Sequence, residues 1–302
     1  MKELIPLKDG WREKLDELGE NKFADIRQSK NLLFVLALYE LLMEEVNTKK
    51  KSKKDELQLI SNIFLTHINQ LGNSVFQLIT TGNGSSSIIL SRAVLESLID
   101  FSYLWLCKDI TGQPPLERRA WVDYSAVRKY GIHNKWKDFI AHRQKKGDSA
   151  EFEVLEHWDS QQLKERVEKY DENYPNFVRT NNNKKKRSWA LDDSLDKRAR
   201  RVDDTGKIKE LLNMDFSLEE QYIVAYKKSS EFVHGTSSII SGYLGESRQL
   251  KFGPNGLNTV FPFLMTNNYL IVFATIYNKI NRLKVDIVGQ LSFWGYENKT
   301  TD

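Results

Sequence analysis

The chain has 302 residues, 40% of them hydrophobic and 28% charged, with a net charge of +4; that is enough apolar material for one large helical domain or two smaller ones. Six prolines and sixteen glycines are too few for a turn-rich β fold. The single cysteine excludes an internal disulfide, and beside five scattered histidines it leaves no structural zinc set, so no metal or other cofactor is expected.

The opening MKELIPLKDGWREKLDE has no apolar h-region, so no signal peptide is expected. Residues 10–29 read as a charged, weakly amphipathic helix and 31–47 as a strongly apolar one. Lys49, Lys50, Lys51, Lys53 and Lys54 form a basic connector to a helix over 55–80. TTGNGSSS at 80–87 breaks the pattern and supplies N-cap residues for an apolar helix over 87–107. Polar helices are expected over 116–146 and 150–173, with an exposed loop over 174–189. Short helices follow over 194–202 and 205–213, and a longer one over 218–234 stops at Gly235. Beyond GPNG at 253–256, a last apolar helix spans 261–283, and the tail forms a short strand or packs its aromatics on the bundle. Apolar runs such as 32–38 and 269–276 fall short of the roughly 20 residues that cross a bilayer, so a cytoplasmic protein without a membrane partner is expected. The fold class is all-α, a multi-helix bundle: N-terminal helices over 1–54, a core over 55–284 and a C-terminal extension over 285–302, in one globular unit.

The helix over 87–107 is apolar in nearly every direction, which implies burial by neighbours on most sides. Arg92, Glu96 and Asp100 interrupt it at steps of four, within a sector of roughly 80°. Charges on a buried helix are costly unless paired, so this strip faces a polar cleft or strong partners. Two carboxylates against one arginine leave one acid seeking another partner, a lysine, a histidine or a ligand, and Asp100 is a candidate substrate-binding residue. An internal salt bridge that orients the helix explains the strip equally well.

The second candidate is the helix end AYKKSSEFVHG, 225–235. Ser230, Lys227 and Tyr226 lie four, seven and eight residues before His234, which places all four on one face. A histidine at a helix C-terminus beside a lysine, a serine and a tyrosine is a plausible acid–base group. A capping or core histidine satisfied by the chain is the alternative.

Together, the R-x-x-x-E helix (Arg92, Glu96), Trp189 ahead of the charged segment Asp196 to Arg201, and Tyr226, Lys227, Ser230 and His234 form a pattern over about residues 60–245. It resembles an uncharacterised bacterial all-helical family with R-x-x-x-E and Y-R-x-x-S-x-x-x-H motifs. That family is similar to HEPN proteins, the helical-bundle ribonucleases of toxin and antiviral systems. Their signature is an arginine, four to six residues and a histidine, usually paired across a homodimer. Lys227 and His234 have that spacing, with lysine in place of arginine: a flexible point charge where the family has a two-pronged clamp. The resemblance implies a HEPN-like bundle and a metal-independent endoribonuclease, acting on RNA as a homodimer beside an antitoxin or defence-system partner. In it His234 is the general acid or base, and Lys227 and Arg92 stabilise charge on the phosphoryl group. Glu96 orients a cation, and Tyr226 or Ser230 holds the substrate or the imidazole. RKYGIH at 128–133 also fits the signature, but Gly131 inside it argues against a rigid helical site, so the match is read as coincidence.

Positive charge gathers around Trp189, from Lys186 and Arg187 in the run 184–187 to Arg198 and Arg201, diluted by Asp192, Asp193 and Asp196. It is either a phosphate-tracking surface for RNA or a solvated loop and helix face. The alternative to the ribonuclease is a non-catalytic helical sensor or interaction module that binds a small anion or a partner protein. The lysine at 227 and the lack of a nucleophile–base motif favour that alternative.

Overall fold

The computed structural model of the chain describes residues 4–19, 21, 25–48, 56–107, 116–147, 159–181, 184–192, 194–227, 229–230 and 260–296. Within them the fold is all-α apart from one two-stranded hairpin. The chain divides into two compact units, Met1–Cys107 with Leu195–Asp302, and Lys108–Ser194. The boundaries expected at 54 and 284 do not mark these units, because helices from either side of each pack together in the first one.

That first unit holds α1 (Asp9–Leu18), α2 (Ile26–Thr48), α3 (Glu56–Thr80) and α4 (Gly84–Leu106). In the second unit lie α5 (Leu116–Lys145), α6 (Ser160–Asn173), β1 (Val178–Asn181) and β2 (Lys184–Arg187). Returning to the first, the chain forms α7 (Leu195–Asp203), α8 (Lys207–Leu212), α9 (Leu218–Gln221), a π-helical turn over Tyr222–Tyr226, α10 (Val260–Ile280) and α11 (Ile287–Trp294). The helix expected over 10–29 thus ends at Leu18, and a second begins at Ile26. The tail is helical over Ile287–Trp294 rather than a strand: the Asp286 carboxylate accepts from the Gly289 N–H and caps α11.

The core of the first unit lies among α2, α3, α4 and α10, which pack on one another. Phe101 of α4 and Phe273 of α10 meet at 4.5 Å between ring centroids, with Phe64 of α3 5.4 Å from Phe101. Tyr39 of α2 is fully buried and donates its hydroxyl to the Leu270 carbonyl at 2.9 Å. Gly72 lets α3 approach closely, since a Cβ there would meet Leu36 and Leu270 at 3.0 Å. Among the described residues α10 is the one helix long and apolar enough to cross a membrane by length and composition, longer than the run 269–276 indicated. Most of it is buried inside the unit. The extended residues before α1 are held by α11: the buried Gln290 amide accepts from the Ile5 N–H at 3.0 Å and donates to its carbonyl at 2.7 Å.

The second unit has its own small aromatic core of Ala120, Tyr170, Tyr174 and Phe177, with Tyr124, Trp189 and Leu191 packed around it. Residues 174–189, expected as a loop, contain the antiparallel pair β1–β2, with Val178 opposite Arg187 and Arg179 opposite Lys186. Side-chain bonds tie this hairpin down. Tyr124 donates to the Arg187 carbonyl at 3.0 Å and Tyr170 to the Ser188 carbonyl at 2.6 Å. Arg187 forks onto Asp171 at 2.5 and 2.8 Å.

Candidate functional site

With α3, α10 and α7 packed on α4, its residues from 91 to 100 keep a half-buried strip of Arg92, Ala93, Glu96, Ser97 and Asp100. The internal pair is present, and the further cation is an arginine of another helix rather than a lysine, a histidine or a ligand. The Arg92 Nε donates to Glu96 at 3.0 Å, within α4. Asp100, the acid left seeking a cation, accepts from Arg198 Nε of α7 at 2.8 Å. Arg198 is 11% exposed at its side chain, so it is an interior partner of α4 and not part of a phosphate-tracking surface.

The next element along the strip is the π-helical turn. Its extra residue per turn rotates the chain relative to a regular helix, and such turns recur at functional sites. It delivers Tyr226 onto Arg92: the guanidinium Cζ lies 4.0 Å from the ring centroid, and Nη2 donates to the Tyr226 hydroxyl. A stacked, hydrogen-bonded guanidinium is both desolvated and fixed in orientation. The remaining nitrogen, Nη1, is buried and has no hydrogen-bond partner among the described residues. A buried guanidinium N–H with nothing to bond is an unmet demand for an acceptor. Tyr222 stacks on Tyr226 with ring centroids 4.5 Å apart and planes inclined by 23°. Burial pushes the Tyr222 hydroxyl pKa up, with Tyr226, Asp196 and Glu96 adding to the shift and Arg92 opposing it.

Ala225 and Ser229 form the buried line, bonded to each other by the Ser229 hydroxyl on the Ala225 carbonyl at 2.6 Å. Tyr226 and Ser230 are half-buried beside them, and Lys227 is exposed. His234 and Gly235 lie outside the described residues, and so does the expected contact of Arg92 or Glu96 with His234.

The basic run divides between the two units. Lys186 is exposed on β2, and Arg187 is committed to Asp171, which is 13% exposed at its side chain. Arg201 is exposed on α7 in the other unit. Arg128 is exposed while His133 is buried, so the pair in RKYGIH faces different surroundings. Gly131 lies within the unbroken helix α5 and does not interrupt it. Among the described residues no group of three or more histidine, cysteine or acidic side chains is placed to hold a metal ion.

Two residues of the site escape the sequence reading. Arg198 reads in the sequence as part of a basic surface, and its role as partner of Asp100 is hidden because the two lie 98 residues apart, although an acid in excess on a buried strip is the signal that a cation must come from elsewhere. Tyr222 stands four residues before Tyr226, the spacing of stacked neighbours on a helix.

Residues 58–250, more than half of the chain, match a protein family described as a family of unknown function, DUF5677. No curated protein and no solved structure matches the chain. The chain belongs to the DUF5677 family.

Proposed function

We propose that this member of the DUF5677 family is a HEPN-like endoribonuclease that cuts RNA where α4 meets the π-helical turn. One observation supports the reading above the others: Arg92 of the R-x-x-x-E helix and Tyr226 of the second motif stack together, and the guanidinium keeps a buried N–H that no described residue bonds. A phosphoryl oxygen is a strong acceptor for such a donor. In this chemistry the substrate 2′-oxygen bonds to the adjacent phosphorus and the bond to the 5′-oxygen breaks, leaving a 2′,3′-cyclic phosphate and a 5′-hydroxyl. His234 takes the proton from the 2′-hydroxyl or returns one to the leaving oxygen. Arg92 and Lys227 stabilise the charge that develops on the phosphoryl group. Glu96 holds Arg92, and Tyr226 or Ser230 positions the substrate. The same reading makes the protein a cytoplasmic toxin or antiviral effector that works as a homodimer with an antitoxin or defence-system partner.

The experiment compares wild type with His234→Ala, in growth after induction and in cleavage of a single-stranded RNA with EDTA present. Wild type is expected to slow growth and yield cyclic-phosphate ends; His234→Ala is expected to lose at least about a hundred-fold in cleavage rate. Intact RNA and unimpaired growth with both proteins would sink the enzyme reading. The outcome would then favour a non-catalytic helical module that binds a small anion or a partner protein. That second reading draws on the charge balance of the strip, where Glu96 and Asp100 each answer an arginine, and on lysine at 227.

A further inference from the structure

The stack on Arg92 extends beyond the tyrosine that the motif names. Tyr222 and Tyr226 come from one π-helical turn, lie nearly parallel, and form with the Arg92 guanidinium a continuous cation–aromatic cluster. Both rings are half-buried, so each is held by the fold yet still meets solvent. Tyr226 is pinned by its bond from Arg92. The residues around the cluster on the same turn, Ile223, Val224 and Lys227, are exposed, which leaves the approach to this turn open along its outer side. Near-parallel aromatic faces beside a cation are the geometry on which unpaired bases stack, because every base has a π-face and the cation strengthens the contact. Double-stranded nucleic acid offers no such face, since its bases are already stacked on each other.

We infer that Tyr222 is a nucleobase-stacking residue, which takes one unpaired base of a single-stranded RNA and so sets the neighbouring phosphate towards Arg92. The inference rests on the ribonucleic-acid reading given above and names the form of RNA the site accepts. Tyr222 binds the base and moves no proton, so its ring and not its hydroxyl is what matters.

The test is the affinity of the full chain for a fluorescently labelled single-stranded RNA of twelve nucleotides. The comparison is an abasic ribose-phosphate oligomer of the same length. Wild type, Tyr222→Phe, Tyr222→Leu and Tyr222→Ala are compared, with the thermal midpoint of each variant measured alongside. Tyr222→Phe is expected to bind within about two-fold of wild type, and Tyr222→Ala and Tyr222→Leu about ten-fold more weakly. Neither variant is expected to change affinity for the abasic oligomer. Leucine fills the site without a stacking face, so it keeps the test valid if alanine unfolds the turn. Equal affinity of wild type and Tyr222→Leu for the base-bearing RNA overturns the inference, and so does an equal loss on both oligomers. Wild type that binds neither oligomer overturns the RNA reading, and the inference falls with it. Wild type that binds RNA and loses nothing at Tyr222 leaves the RNA reading standing and removes this residue alone.

Discussion

Asp100 and Arg198 are 2.8 Å apart across 98 residues of sequence, with 24% and 11% of their side chains exposed. At that burial, removing one partner strands the other charge away from water, which costs more than the intact pair contributes over an apolar replacement. Arg198→Leu is therefore expected to lower the unfolding free energy by about 1–3 kcal/mol, measured by chemical denaturation. The double variant with Asp100→Leu should recover part of that loss, because the carboxylate that Arg198 neutralised is removed with it. A double variant less stable than Arg198→Leu alone would locate the cost in packing and not in the stranded charge. Arg92 differs from Arg198 in kind: it is bonded on two nitrogens and stacked, yet still has an N–H to give.

At the level of elements, α5 gives the simplest expectation. Gly131 sits in the middle of a thirty-residue helix, is exposed, and has nothing within 4 Å of where a Cβ would stand. Gly131→Ala should therefore stabilise the second unit by about 0.5–1 kcal/mol through the unfolded chain, seen as a raised thermal midpoint; a lowered one would mean that α5 bends or packs there. The long helices were legible in the sequence because their apolar residues recur with helical period, as in α2 and α10. The hairpin was not, because Lys184–Arg187 has no alternation of apolar and polar residues, and its order comes from Tyr124, Tyr170 and Asp171, outside the strands. The π-helical turn was also hidden, because YIVAY has the composition of an ordinary helix. In the site, the Arg92–Glu96 pair follows from spacing alone, whereas Tyr226 on Arg92 depends on two elements meeting.

On the scale of the whole molecule, each unit closes a core of its own, which makes a local change readable. Asp171 anchors the hairpin of the second unit through Arg187, whose hydrogen bonds hold its carboxyl pKa below the ordinary value, with Lys185 assisting and burial opposing. The unfolded chain therefore takes up this proton more readily than the folded one. The stabilisation is present above the ordinary carboxyl range and is lost as pH falls from about 5 towards 3. Asp171→Asn is expected to cost about 1–2 kcal/mol near neutrality and to flatten the stability of the second unit over that pH interval. Hydrogen exchange should speed up across residues 160–189 and stay unchanged in α4 and α10. Equal acceleration in α4 would show that the two units unfold together.

The insertion of residues 108–194 between α4 and α7 also orders events during synthesis. Asp100 leaves the ribosome 98 residues before Arg198, a delay of roughly 5–20 s at ordinary elongation rates. Through that interval α4 is made but Asp100 on its charged strip has not yet met Arg198. The second unit is contiguous in the chain and is completed inside the same interval. The first unit closes only after α7 and then α10 have been made, so a premature stop anywhere in 108–194 would release a chain whose α4 lacks both of these neighbours.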